Sequence, residues 1–193
     1  AGVTSIGFPL SVSETHSIKN LRQTHDQAIE NVRQIASLIG EQPEDSRPEF
    51  EGALSTAFGC SIEGHIDERQ VLSLAERLVK AGVDELGLSD TVGYANPKQV
   101  KRLINKLRGV AGADKVKSVH LHNTYGLGIA NAFAAYEEGI EVFDSSQGGL
   151  GGCPVSPGAS GNIVTEDLVY MFESMGVDTG VELGALMDFR KYL

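Results

Sequence analysis

The chain has 193 residues, of which 41% are hydrophobic, 6% aromatic and 22% charged, with no Trp; this is ordinary soluble globular composition and excludes collagen-like and disordered classes. Sixteen Lys and Arg against 26 Asp and Glu leave a formal charge of -10, a field that repels phosphate backbones and anionic headgroups and so argues against nucleic acid and membrane partners. Two cysteines, Cys60 and Cys153, lie too far apart for a CxxC metal pair, and so sparse a thiol content fits a reducing compartment better than a disulfide framework.

No run of 18 apolar residues is present, and the opening AGVTSIGFPLSV has neither a basic n-region nor a long apolar h-region, so it reads like the interior of a domain. Strands are predicted at Val3 to Phe8, Ala53 to Ala57, Asp84 to Leu88, Val116 to His122 and Ile140 to Phe143, each followed by a helix-like segment. The first helix is placed at Asn20 to Ile39, where Leu21, Ala28, Ile29, Val32, Ile35, Ala36 and Ile39 recur at helical spacing and Gly40 ends the pattern. EQPEDSRPEF, with two prolines, is a polar loop. The second helix opens at Asp67, with Gln70 in capping-box spacing, and runs to Ala81 before Gly82. A third begins at Asn96 with Pro97 as its first helical residue. Further helices follow at Leu127 to Glu138, Thr165 to Met175 and from Leu183 onward, with Glu166 and Asp167 at the positive end of the second of these. Strands alternating with helices predict an α/β fold on a parallel sheet.

The unusual polar residues gather just after the strand ends, the face that binds ligands in parallel α/β proteins. Asp90 follows GLS, His120 and His122 end KSVHLH, and Asp144 follows EVF. Two residues apart on a strand, His120 and His122 leave one face about 6.5–7 Å apart along the chain, within reach of one ion. Ser118 shares that face, while Val119 and Leu121 point toward the covering helices. Spacing alone leaves two readings open, a metal pair or two hydrogen-bonded cleft histidines. QGGLGGCPVSPGASGN cannot continue a helix or strand, and it is expected to form a surface loop whose thiol, Cys153, either delivers a proton or is incidental. Asp90 reads equally as a strand-end carboxylate facing the site or as a turn former. Cys60 is expected as a small buried hydrophobe, and His16, His25 and His65 as solvent-facing residues.

At HLHNTYG, GGLGGCPVSPGASGN and TEDLVYMFESMGVDTGVEL the sequence resembles the 3-hydroxy-3-methylglutaryl-CoA lyase family, within the metal-dependent lyase/aldolase barrel superfamily. The similarity extends over nearly the whole chain: FPLSVSETHSIKN resembles the Ser-rich segment after the fourth barrel strand, STAFGCSIEG the fifth and LGLSDTVGYANP the sixth. It implies a (β/α)8 TIM barrel, of which this chain holds about the C-terminal five strand-helix units as one catalytic domain. The family's first three strands, with an Asp metal ligand, an Arg that neutralises the substrate carbonyl oxygen and a Glu, have no counterpart here.

By position, the resemblance makes His120, His122 and Asn162 ligands of a divalent metal, Mg2+ or Mn2+ with Zn2+ also admitted. It makes Cys153 the catalytic loop cysteine, Asp90 an acidic site residue and Glu166 a nearby site carboxylate. Asn123 departs from the Asp that many members carry after the second His. The implied reaction splits 3-hydroxy-3-methylglutaryl-CoA into acetoacetate and acetyl-CoA; the expected partners are an acyl-CoA substrate and further copies in a homo-oligomer, and the compartment is the cytoplasm for a bacterial source or the mitochondrial matrix for a eukaryotic one. Two alternatives stand beside it: another aldolase or acyl-CoA condensing enzyme of this barrel type, and a non-catalytic fragment that folds only with a complementary segment.

Overall fold

A computed structural model describes residues 2–193 apart from Cys153, Ser156, Pro157 and Ser160. Five strands, β1 (Ser5–Ser11), β2 (Glu49–Ser55), β3 (Glu85–Asp90), β4 (Val116–Leu121) and β5 (Val142–Asp144), form one parallel sheet in the order β1-β2-β3-β4-β5. The strand order never reverses, as it would at the switch point of a doubly wound sheet. A sequential order is that of a (β/α)8 barrel.

Seven α-helices are described: α1 (Glu14–Leu21), α2 (His25–Gly40), α3 (Glu68–Ala81), α4 (Pro97–Ala111), α5 (Gly128–Glu137), α6 (Thr165–Ser174) and α7 (Leu183–Phe189). One core joins the strand residues Phe50, Leu54, Leu86, Leu88, Val119 and Leu121 to the helix residues Ile29, Val32, Val71, Leu78, Leu103 and Leu107. The opposite face of the sheet carries Ser, Gly and Glu instead. This division follows from the period-two alternation of a strand, which sends Phe50 and Leu54 to the helices and Glu51 and Ala53 inward.

The capping residues fix where the helices begin. Asn96 and Gln99 form a reciprocal capping box ahead of Pro97, and Asp67 caps α3 by accepting from the Arg69 amide. The expected single helix from Asn20 to Ile39 is two helices. Arg22 adopts a left-handed conformation (φ 57°) after α1, and Thr24 then opens α2 in a capping box with Gln27. Strand boundaries shift as well: β1 reaches Ser11 and β2 begins at Glu49, because parallel pairing with neighbours extends each strand past its apolar run. No helix among the described residues is long and apolar enough to cross a membrane.

Candidate active site

His120 and His122 lie at the end of β4, and their side chains converge as the strand alternation requires, with the two Nε2 atoms 3.2 Å apart. Val119 and Leu121 are buried under the helices, while Ser118, buried on the inner face, lies one layer below His120. Asp144, at the end of β5 and paired in register with His120, places Oδ2 3.4 Å from His120 Nδ1. That carboxylate orients the ring and leaves Nε2 directed at its neighbour. Sequence inspection marked Asp144 as a strand-end residue; its pairing with His120 depends on register, which the letters do not carry.

Asn162 comes to the same place by backbone pairing. An isolated antiparallel bridge joins His122 to Asn162, and residues directly opposite in such a pair present their side chains to one face. Asn162 Nδ2 donates to the Leu150 carbonyl at 3.2 Å. Its Oδ1 is buried and has no hydrogen-bond partner among the described residues. A buried acceptor left open in this way requires a donor or a cation to satisfy it. Among the described residues no group of three or more His, Cys, Asp or Glu is placed to hold a metal, so a shared ion here would draw on the two imidazoles and this amide oxygen.

Asp90 ends β3, wholly buried. It lies in register with Leu121 rather than with His120, which pairs with Ser89. Its carboxylate accepts from the Tyr94 and Ala95 amides at 2.9 and 3.0 Å, closing the turn into α4. Burial pushes its carboxyl up to about 6 against the pull of those amides and of His120. Glu166, in the first turn of α6 and 3% exposed, accepts from the Gly148 amide at 3.0 Å and lies 3.6 Å from Arg190. It therefore braces the start of the glycine-rich segment. Cys153 lies outside the described residues. Cys60 is buried and unoxidised, and its sulfur accepts from the Ile62 amide at 3.4 Å.

Two of the histidines expected at the surface are not there. His16 is 1% exposed, with Nδ1 2.7 Å from Ser11 Oγ, and burial holds its imidazole below the usual histidine range. His25 is mostly covered, and Nε2 donates to the Ser11 carbonyl at 2.9 Å. The end of β1 and the break between α1 and α2 bring all three residues together. His65 is exposed.

The HMGL-like family profile matches residues 1–193. The chain belongs to the HMGL-like family. It is 39% identical over 192 residues to the hydroxymethylglutaryl-CoA lyase YngG of Bacillus subtilis, covering 100% of this chain and 62% of that protein. It is 44% identical over 144 residues to the (R)-citramalyl-CoA lyase of Chloroflexus aurantiacus, covering 75% of this chain and 45% of that one. The structure of an Acinetobacter baumannii HMG-CoA lyase in complex with coenzyme A and 3-methylmalate superposes with a TM-score of 0.87 at 42% identity, over 97% of this chain and 59% of that chain. The chain thus spans about three fifths of the length of these two HMG-CoA lyases. These HMGL-like relatives are carbon-carbon lyases, and the five parallel strands here are a sector of their TIM barrel.

Proposed function

We propose that this chain supplies the C-terminal part of the active site of a hydroxymethylglutaryl-CoA lyase, cleaving 3-hydroxy-3-methylglutaryl-CoA to acetoacetate and acetyl-CoA. The observation that carries the reading is the convergence of His120 and His122, Nε2 to Nε2 3.2 Å, beside the unpartnered oxygen of Asn162. These two imidazoles and the Asn162 amide oxygen would hold one Mg2+ or Mn2+, with Zn2+ a third candidate. When bound, such an ion supplies Lewis-acid polarisation of the tertiary hydroxyl.

The chain's own residues do the rest. Asp144 holds His120 in the tautomer that presents Nε2. The tertiary hydroxyl gives its proton to water and becomes the ketone of acetoacetate as the carbon-carbon bond breaks; the electron pair of that bond passes to the methylene carbon of the departing acetyl thioester, the Cys153 thiol gives that carbon its proton, and the thiolate regains a proton from water after product release. Glu166 anchors the segment that carries the thiol, and Asp90 holds the turn between β3 and α4. The glycine-rich stretch lets the thiol approach once the acyl-CoA is seated and excludes water while the enolate lives.

The test is acetoacetate release by the full-length protein with and without a chelator. We expect activity that chelation abolishes and Mg2+ or Mn2+ restores. Cys153→Ser is expected to lower turnover at least about a hundredfold with metal affinity kept, and His120→Ala to lose both. Full turnover in the serine variant would remove the thiol from the mechanism. The likeness to a citramalyl-CoA lyase favours a second reading, cleavage of a different 3-hydroxyacyl-CoA by the same residues, which a substrate panel in that assay separates.

A further inference from the structure

Beneath the histidine pair the inner face of the sheet is lined by small residues. Pro9, Ala53, Gly87 and Ser118 lie side by side in register across β1 to β4, whereas barrel interiors are dominated by bulky branched side chains. Part of the space is taken by Glu51, one layer below, in register with Gly7 and Glu85. Its carboxylate passes over Gly87, where a Cβ would strike both Glu51 Oε1 and Ser118 Oγ, and accepts a hydrogen bond from Ser118 Oγ. Ser118 precedes His120 by two residues on the same face, about 6.5–7 Å along the strand. A carboxylate is thus fixed on the inner face one layer below the histidine pair.

Glu51 shares its layer of the inner face with a second acidic residue, Glu85. Burial, together with Glu49, Glu51 and Asp84, holds the Glu85 carboxyl above its ordinary range against the pull of Lys117. An acceptor-only carboxylate with one oxygen engaged by Ser118 still offers its other lone pairs to a donor.

We propose that Glu51, held by Ser118 above Gly87, is a specificity-determining residue: it forms the floor of the subsite for the third substituent on the carbinol carbon. It selects a hydrogen-bond-donating substituent over a plain methyl, and it rejects an anionic one. The proposal rests on the lyase reading above in its second form, cleavage of a 3-hydroxyacyl-CoA other than the 3-methyl one by the same residues. It uses a charged acceptor whose loss of a donor on binding is costly, the condition under which a site discriminates most strongly.

The experiment measures kcat/KM of the full-length, Mn2+-loaded protein for 3-hydroxy-3-methylglutaryl-CoA and for its analogue with a hydroxymethyl group in place of the 3-methyl. Wild type is expected to favour the hydroxymethyl substrate at least about tenfold. Glu51→Ala should erase that ratio, and the isosteric Glu51→Gln, which keeps the packing, should reduce it. A merely structural carboxylate would depress both substrates equally and leave the ratio unmoved, which overturns the proposal. So does a wild-type preference for the methyl substrate. Cleavage of neither substrate by wild type sinks the lyase reading along with it, whereas cleavage with an unmoved ratio sinks the Glu51 assignment alone.

Discussion

The ring of His120 is held between two partners of different kinds. Asp144 Oδ2 lies 3.4 Å from Nδ1, and His122 faces Nε2. Removing a carboxylate that orients a metal-binding imidazole typically costs 10–100-fold in metal affinity, so Asp144→Ala is expected to weaken Mn2+ binding by about that factor, as read by calorimetric titration, without unfolding the protein. Asp90 gives a pH test. Its carboxyl is raised from 3.8 to about 6, so between those values the folded protein keeps a proton that the unfolded chain releases. Stability therefore falls as pH rises through that window, by on the order of 3 kcal/mol at most, and is level above it. Thermal unfolding of Asp90→Asn across that window should lack the decline seen in wild type; parallel pH profiles would contradict the assignment. His16 carries the opposite sign. Its lowered value means that stability is kept above the ordinary histidine range and lost on acidification below it.

Among the elements, the segment between β5 and α6 carries the most consequence for the site. Gly161 packs so tightly on the Gly149 carbonyl that a Cβ there would overlap backbone, which has no rotamer by which to yield. Gly161→Ala should push the two limbs of the segment apart, with a loss of about 1–3 kcal/mol in stability and a larger fall in kcat than in metal affinity, measured by denaturant titration beside steady-state kinetics. How far sequence foretold these elements depended on whether the signal was local. The Asn96–Pro97 start of α4 and the His120/His122 alternation follow from adjacent residues and were legible. The break between α1 and α2 was legible in principle, since Thr24 and Gln27 have capping-box spacing, but the apolar period running through Leu21 and Ala28 masked it. His16 and His25 could not be read, because the Ser11 that both bond arrives from a strand. The same holds for Asp144 and for the seat of Glu51 on Ser118, whose partners are set by register across strands.

At the scale of the whole molecule, the sheet ends in two strands, β1 and β5, each paired on one side only among the described residues. Central β3 pairs on both sides and carries Leu86 and Leu88 at 0% exposure. Amide hydrogen exchange of this chain alone should therefore show slow exchange in β3 and its neighbours and fast exchange along β1 and β5. In a longer protein with a closed barrel the protection of β1 and β5 should rise toward that of β3. Equal protection of all five strands in the chain by itself would contradict a sheet with open edges.

The span from Ser146 to Thr165 is stitched shut at its base. The Asn123 amide donates to the Gly161 carbonyl and that of Ile163 to the Leu121 carbonyl, while the Ser146 amide donates to the Ile163 carbonyl and the Ser146 carbonyl accepts from Thr165. Those bonds tie the two residues that flank Asn162 to the ends of β4 and β5. The place of Asn162 beside His122 is therefore set by main-chain groups, and a change of side chain at Leu121, Asn123 or Ser146 leaves that anchoring in place.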